Sequence, residues 1–223
     1  MKAKCFSSAL SLVCMLTASN AAHAERSSQA LSWNCNGCHG PAGVSGGPAV
    51  PSIAGIHQRY FFKVMRDFKL DERNSTIMGR IARGYRTAEF REMAEHFSAN
   101  TWVSAQAVVS DEQFLAGKAI HDEHCAECHE DAGRYQDKEI PRLAGQWPSY
   151  LLYQLVDYQQ DHVKMPQPDK MRERVKKLTR EDLEAVCGFY GRIDDAYRLD
   201  VESGLVTGEA QAVLLGTSAP TRP

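Results

Sequence analysis

Two short stretches of the chain carry residues that can do chemistry together. They are Cys35-Asn36-Gly37-Cys38-His39 and Cys125-Ala126-Glu127-Cys128-His129. Two thiols three positions apart can each form a thioether with one vinyl group of the same porphyrin. The adjacent imidazole then lies beneath the ring as the proximal iron ligand. A redox dithiol has no use for that histidine and belongs to a βαβ setting, which is missing here. A zinc site built from the four cysteines would leave both histidines unexplained. The reading is two covalently bound haem c groups, attached at Cys35, Cys38, Cys125 and Cys128, with His39 and His129 on iron.

The positioning elements follow from composition and repetition. Lys2 and Lys4, a mostly apolar run from Phe6 to Leu16, and Ala22-His23-Ala24 form a signal peptide over residues 1–24. Cleavage leaves 199 residues beginning at Glu25 and implies the periplasm, where haem can be attached. No later stretch reaches the ~20 apolar residues of a membrane span. Two of the seven cysteines fall in the leader and four in the motifs. Cys187 alone is left over, which excludes a disulfide framework and reads as a small buried side chain. Residues 25–110 carry 10 basic and 7 acidic side chains, residues 111–223 carry 14 and 21. Such a lopsided field can orient a redox protein partner and gives no sign of nucleic acid binding.

The halves repeat. At an offset of 90, Cys35, Cys38 and His39 fall on Cys125, Cys128 and His129, Pro51 to Gly55 on Pro141 to Gly145, and Tyr60 on Tyr150. After an insertion of three residues, an offset of 93 places Arg86 to Phe97 on Thr179 to Tyr190. The chain is therefore an internal duplication. Its domains run over 25–99 and 111–193, with a linker at 100–110 and a C-terminal tail at 194–223. Helical spacing predicts an all-α fold, with helices over Arg59–Lys69, Thr87–Phe97, Asp111–Ile120, Ser149–Gln160 and Thr179–Tyr190. Thr179 and Asp182 form a capping pair. The opening helix of the first half is expected to be short, and the Gly- and Pro-rich segments 40–55 and 130–145 to be loops at the haem edge.

A second axial ligand would close each iron and leave it to electron transfer. In the first half Met78 is preferred, because it sits in a loop, whereas Met65 and Met93 lie within predicted helices. In the second half the repeat places Met171 on Met78, so Met171 is preferred over Met165, with His162 as a third candidate. Pro48 is the expected carbonyl acceptor for the His39 ring. Arg80, Arg83, Gln146 and Trp147 are candidates for haem propionates. His57, His96, His121 and His124 are expected at the surface or behind the ligands.

Ser75-Thr76-Ile77-Met78-Gly79-Arg80-Ile81-Ala82-Arg83-Gly84-Tyr85 and Leu143-Ala144-Gly145-Gln146-Trp147 give the chain a closer likeness. From about Leu31 to Tyr190 it resembles the di-haem cytochrome subunit of flavocytochrome c sulfide dehydrogenase, within the wider cytochrome c4 family. The resemblance implies two tandem class I cytochrome c domains packed face to face, each with His/Met iron. It also implies a periplasmic flavoprotein partner that oxidises sulfide and passes electrons to the haems. The chain itself is then an electron-transfer subunit and not an enzyme. A free-standing carrier feeding a terminal oxidase is the second reading and a di-haem peroxidase the third. The peroxidase needs an open or displaceable ligand on one iron.

Overall fold

The computed structural model describes residues 27–193 except 106 and 167. The signal peptide and the tail lie outside the described residues. All regular structure among the described residues is helical. The first half holds α1 (Ser28–Ser32), α2 (Asn36–His39), α3 (Gln58–Lys69), α4 (Met78–Arg83) and α5 (Thr87–Ser98). The second holds α6 (Asp111–Ile120), α7 (Glu130–Gly133), α8 (Pro148–Gln159), α9 (Asp169–Val175) and α10 (Arg180–Arg192).

Each long helix forms because one face can be buried. On α5, Phe90, Met93, Ala94 and Phe97 recur at helical spacing and all are buried. On α10, Leu183, Val186, Cys187 and Tyr190 do the same. The Thr179 hydroxyl accepts the Asp182 N–H at 3.2 Å and the Asp182 carboxylate accepts the Thr179 N–H at 2.9 Å. This is the cap that the sequence predicts for α10. The opening helix of the first half is short, five residues in α1 against ten in α6.

The two halves pack alike. The opening helix crosses the last helix in each, α1 on α5 and α6 on α10. The middle helix, α3 or α8, lies against the last one and carries the short helix, α4 or α9. At the α6–α10 crossing a Cβ on Gly117 would stand 2.1 Å from the Ala185 carbonyl oxygen, so only glycine permits this approach. Each half has its own core. Leu31, Phe61, Phe90 and Phe97 centre the first, and Phe114, Leu151, Phe189 and Ile193 the second. A satellite cluster of Val175, Leu178 and Leu183 extends the second.

One element departs from expectation. Met78 does not lie in a loop but begins α4. The Ser75 hydroxyl accepts the Gly79 N–H at 2.8 Å, satisfying a donor that the helix start would leave orphaned. Six residues are too few to show a period, and this helix is held by burial of Ala82.

The halves are joined by specific contacts. The segment at 100–110 is packed down, with the Ala105 N–H on the Gly145 carbonyl at 2.7 Å and the Arg142 guanidinium 5.1 Å over the Trp102 ring. Gln136 spans the domains: its Oε1 accepts the His57 N–H at 2.9 Å and its Nε2 donates to the Gly55 carbonyl at 3.0 Å. The stretch of the second half that contains the three-residue insertion also docks on the first. The Asn74 N–H donates to the Lys164 carbonyl at 2.7 Å, and Lys164 Nζ lies 2.8 Å from Asp71.

Candidate haem sites

In the first half α2 carries the motif. Cys35 is partly buried and Cys38 exposed, while His39 is buried beside them. The pair of thiols therefore straddles the rim of the domain and the imidazole points inward. His39 Nδ1 lies 2.8 Å from the Pro51 carbonyl oxygen. A carbonyl only accepts, so Nδ1 carries the proton and Nε2 keeps its lone pair for iron. The acceptor is Pro51 and not Pro48, as the sequence suggested. The Ser45 hydroxyl donates to the Val50 carbonyl at 2.7 Å and accepts the Gly47 N–H at 2.9 Å. These bonds fold the loop back after Pro48, and the carbonyl that reaches His39 comes three residues later.

In the second half the motif follows a wide helical turn, His121–Cys125. Cys125 is partly buried, Cys128 exposed and His129 buried. Among the described residues nothing pairs with His129 Nδ1. Burial lowers the His129 pKa to about 4, with His121 adding to the effect, and burial lowers that of His39 too. Both rings are thus neutral imidazoles, the form that binds a metal. Burial also raises the Cys35 and Cys125 thiols.

His121 proves to be interior and close enough to His129 to lower its pKa, which excludes the surface from the two places expected of it. It stands at the position of Leu31 in the repeat, is 4% exposed, and pairs through Nδ1 with the Tyr190 hydroxyl at 2.8 Å. Tyr190 explains why a histidine is tolerated in a core position: it gives the buried ring nitrogen a partner.

The methionines separate by position. Met78 packs against the first core from the start of α4, and Met171 lies on α9 against Val175, Leu178 and Leu183. Each stands four residues before a buried anchor, Ala82 or Val175, so the two occupy equivalent faces of equivalent helices. Arg174 ties α9 to the second motif, donating to the His124 carbonyl at 2.8 Å and pairing with Glu127. Met165 lies elsewhere. With His162, Val163 and Lys164 it lines a crevice whose other wall is Leu70, Asp71 and Glu72 of the first half.

Of the propionate candidates, Gln146 is committed to both backbone groups of Ser52, and Trp147 Nε1 donates to the Ser45 carbonyl at 3.1 Å. Arg80 and Arg83 are exposed. Arg73 is a residue that sequence reasoning missed, since Glu72-Arg73-Asn74 is an ordinary polar run. In the fold its side chain is buried where the halves meet. It lies 3.5 Å from the Tyr60 hydroxyl, hydrogen-bonds Gln154 Oε1, and covers the Phe68 ring at 5.6 Å. Tyr150, the repeat partner of Tyr60, is also close, and burial raises its phenol to about 12 against the pull of Arg73. Arg73 Nε has no partner and the guanidinium no carboxylate among the described residues. A buried unpaired cation is costly. A haem propionate would supply the missing anion.

The donor set therefore fits haem at both sites. It offers paired thiols at the rim, a neutral buried imidazole with a free nitrogen, a thioether on a short helix, and a buried cation for the carboxylates. Haem so held supplies one-electron iron chemistry.

The chain is similar to known proteins. The family described as cytochrome c oxidase, cbb3-type, subunit III matches residues 112–189. Cytochrome c4 of Pseudomonas aeruginosa is 26% identical over 81% of this chain and 95% of its own length. The cytochrome subunit of sulfide dehydrogenase from Chlorobaculum tepidum is 42% identical over 33% of this chain and 66% of that protein. The solved structure of cytochrome c4 from Acidithiobacillus ferrooxidans superposes with a TM-score of 0.65 at 25% identity, over 73% of this chain and all of that one. The chain is a di-haem c-type cytochrome with two class I cytochrome c domains and two covalently bound haem c groups, an electron-transfer protein and not itself an enzyme. Within that class, relatives that it resembles over most of its length are cytochromes c4.

Proposed function

We propose that this cytochrome is the haem subunit that accepts electrons from a flavin-containing sulfide dehydrogenase in the periplasm. The observation that carries this reading is the 42% identity to a sulfide dehydrogenase cytochrome subunit, higher than to the full-length cytochrome c4 relative. Residues 25–99 and 111–193 form its two domains, 100–110 the linker. In this reading Cys35, Cys38 and His39 hold the first haem with Met78, and Cys125, Cys128 and His129 the second with Met171. The neutral rings of His39 and His129 would hold iron, with the thioethers of Met78 and Met171 as the second protein ligands. An iron with two protein ligands would take up no small molecule and would pass single electrons on. Trp33, 68% exposed two residues before Cys35, and Ile77, 56% exposed beside Met78, flank the first set of ligands. They offer apolar surface to a partner at that haem. No helix among the described residues is long and apolar enough to cross a membrane.

A second reading, a free-standing carrier, is favoured by the match to cytochrome c4 over almost all of that protein's length. Purification of the tagged chain from its own cells separates the two. The subunit reading expects co-purifying flavin and haem reduction on adding sulfide. Flavin-free cytochrome that sulfide leaves oxidised would replace it with the carrier.

A further inference from the structure

Gln146 reaches from the second domain into the loop that follows the first haem motif. Its Oε1 accepts the Ser52 N–H at 3.0 Å, and its Nε2 donates to the Ser52 carbonyl at 3.0 Å. Both bonds are buried, and Ser52 itself is 2% exposed. The Ser52 N–H belongs to the same planar peptide group as the Pro51 carbonyl. A side chain that holds the N–H therefore also sets the direction of the C=O. That carbonyl is the acceptor of His39 Nδ1–H at 2.8 Å. The bonds are also coupled electronically, because a peptide whose N–H is donated becomes a better acceptor at its oxygen.

Among its described residues the second domain has no such relay. Ile56 stands where Gln146 would be in the repeat, and Arg142 stands where Ser52 would be. His129 Nδ1 has no partner among the described residues.

We propose that Gln146 is a positioning residue for the other domain's iron, acting through the Pro51–Ser52 peptide on the proximal ligand His39. This rests on the assignment of His39 as a haem ligand. Donation from Nδ1–H makes the imidazole a stronger base toward iron and favours the ferric state. The docked second domain thus holds the potential of the first haem down. The two haems differ in potential through a contact that neither of them makes.

The test uses the full holo-protein. Gln146→Leu removes both bonds to Ser52. Redox titration should show one midpoint raised and the other unmoved, and proton NMR of the reduced protein should show faster exchange of one histidine ring N–H. Gln136→Leu is the control, since it removes a comparable bridge between the domains, to His57 and Gly55, away from Pro51. It should move neither readout. Gln146→Glu keeps the acceptor for the Ser52 N–H and should not raise the midpoint, which decides the matter even if the leucine variant does not accumulate. Equal effects of the two leucine variants would mean that loosened docking is the cause, and the relay would be rejected. An unmoved first midpoint in Gln146→Leu, or a raised one in Gln146→Glu, would reject it too. An intact mass lacking two haems would instead strike the haem assignment itself.

Discussion

The two methionines of the second domain should fail in different ways. Met165 is 9% exposed in the crevice between the domains, and the backbone beside it is bonded to Asn74. Its side chain fills space there. Buried methionine-to-alanine changes cost about 2–5 kcal/mol, and a crevice position belongs at the lower end. A loss of about 2 kcal/mol lowers the folded-to-unfolded ratio roughly 30-fold. Met165→Ala should therefore shift a urea unfolding curve followed by far-UV circular dichroism and leave the iron untouched. Met171 is only partly buried, against Val175 and Leu178, so less packing is lost in Met171→Ala. What goes is the thioether. Axial ligation and its surroundings move haem potentials over ~0.8 V, and loss of a soft ligand that favours ferrous iron should lower one midpoint substantially. The far-red absorption of the iron–thioether bond should fall by about half, and one iron should bind cyanide or carbon monoxide. Met78→Ala should do the same to the other half. The reasoning is refuted if Met165→Ala removes the band and Met171→Ala keeps it. If neither does, His162 becomes the candidate ligand.

Three further outcomes can be checked. Gly117→Ala puts a methyl carbon 2.1 Å from the Ala185 carbonyl oxygen, so α6 must move off α10 at about 1–3 kcal/mol, read as an earlier thermal transition of the second domain alone. Arg73→Gln removes a buried positive charge from between the domains, which should lower both haem midpoints in potentiometry because the ferric state loses a repelling cation. Cys125→Ala with Cys128→Ala leaves His129 without haem and its pKa at about 4 against an ordinary 6.5. A histidine depressed on folding stabilises fully above its unfolded value, and that contribution is lost as the pH falls through the folded one. This variant should thus lose on the order of 3 kcal/mol between roughly pH 7 and pH 4, read as a falling urea midpoint, and a flat midpoint would contradict it.

What the sequence could and could not convey depends on the range of each interaction. The C-x-x-C-H motifs, the long helices and the Thr179 cap are local patterns, and all were legible. The duplication was legible as well, because each half repeats its own pattern at a fixed offset. Everything that joins the halves escaped. Nothing local in Arg73, Gln136, Gln146 or Lys164 signals a contact between the halves, although Gln146 lies in a singled-out segment, and their partners lie between 79 and 94 positions away. The Pro48 expectation failed for a related reason, since the side chain of Ser45 decides which carbonyl of the loop faces His39. The insertion shows the point most directly. In the sequence the extra residues before Met171 show only as a change of offset from 90 to 93. In the fold the same stretch carries Lys164 to Asn74 and Asp71, and it belongs to the contact between domains. A duplication supplies two sites at once. The surface on which the copies meet draws on the equivalent residues Tyr60 and Tyr150 around Arg73, and also on positions where the copies differ. Gln146 against Ile56 and Trp147 against His57 are such positions, and both reach into the loop that holds the first haem ligand.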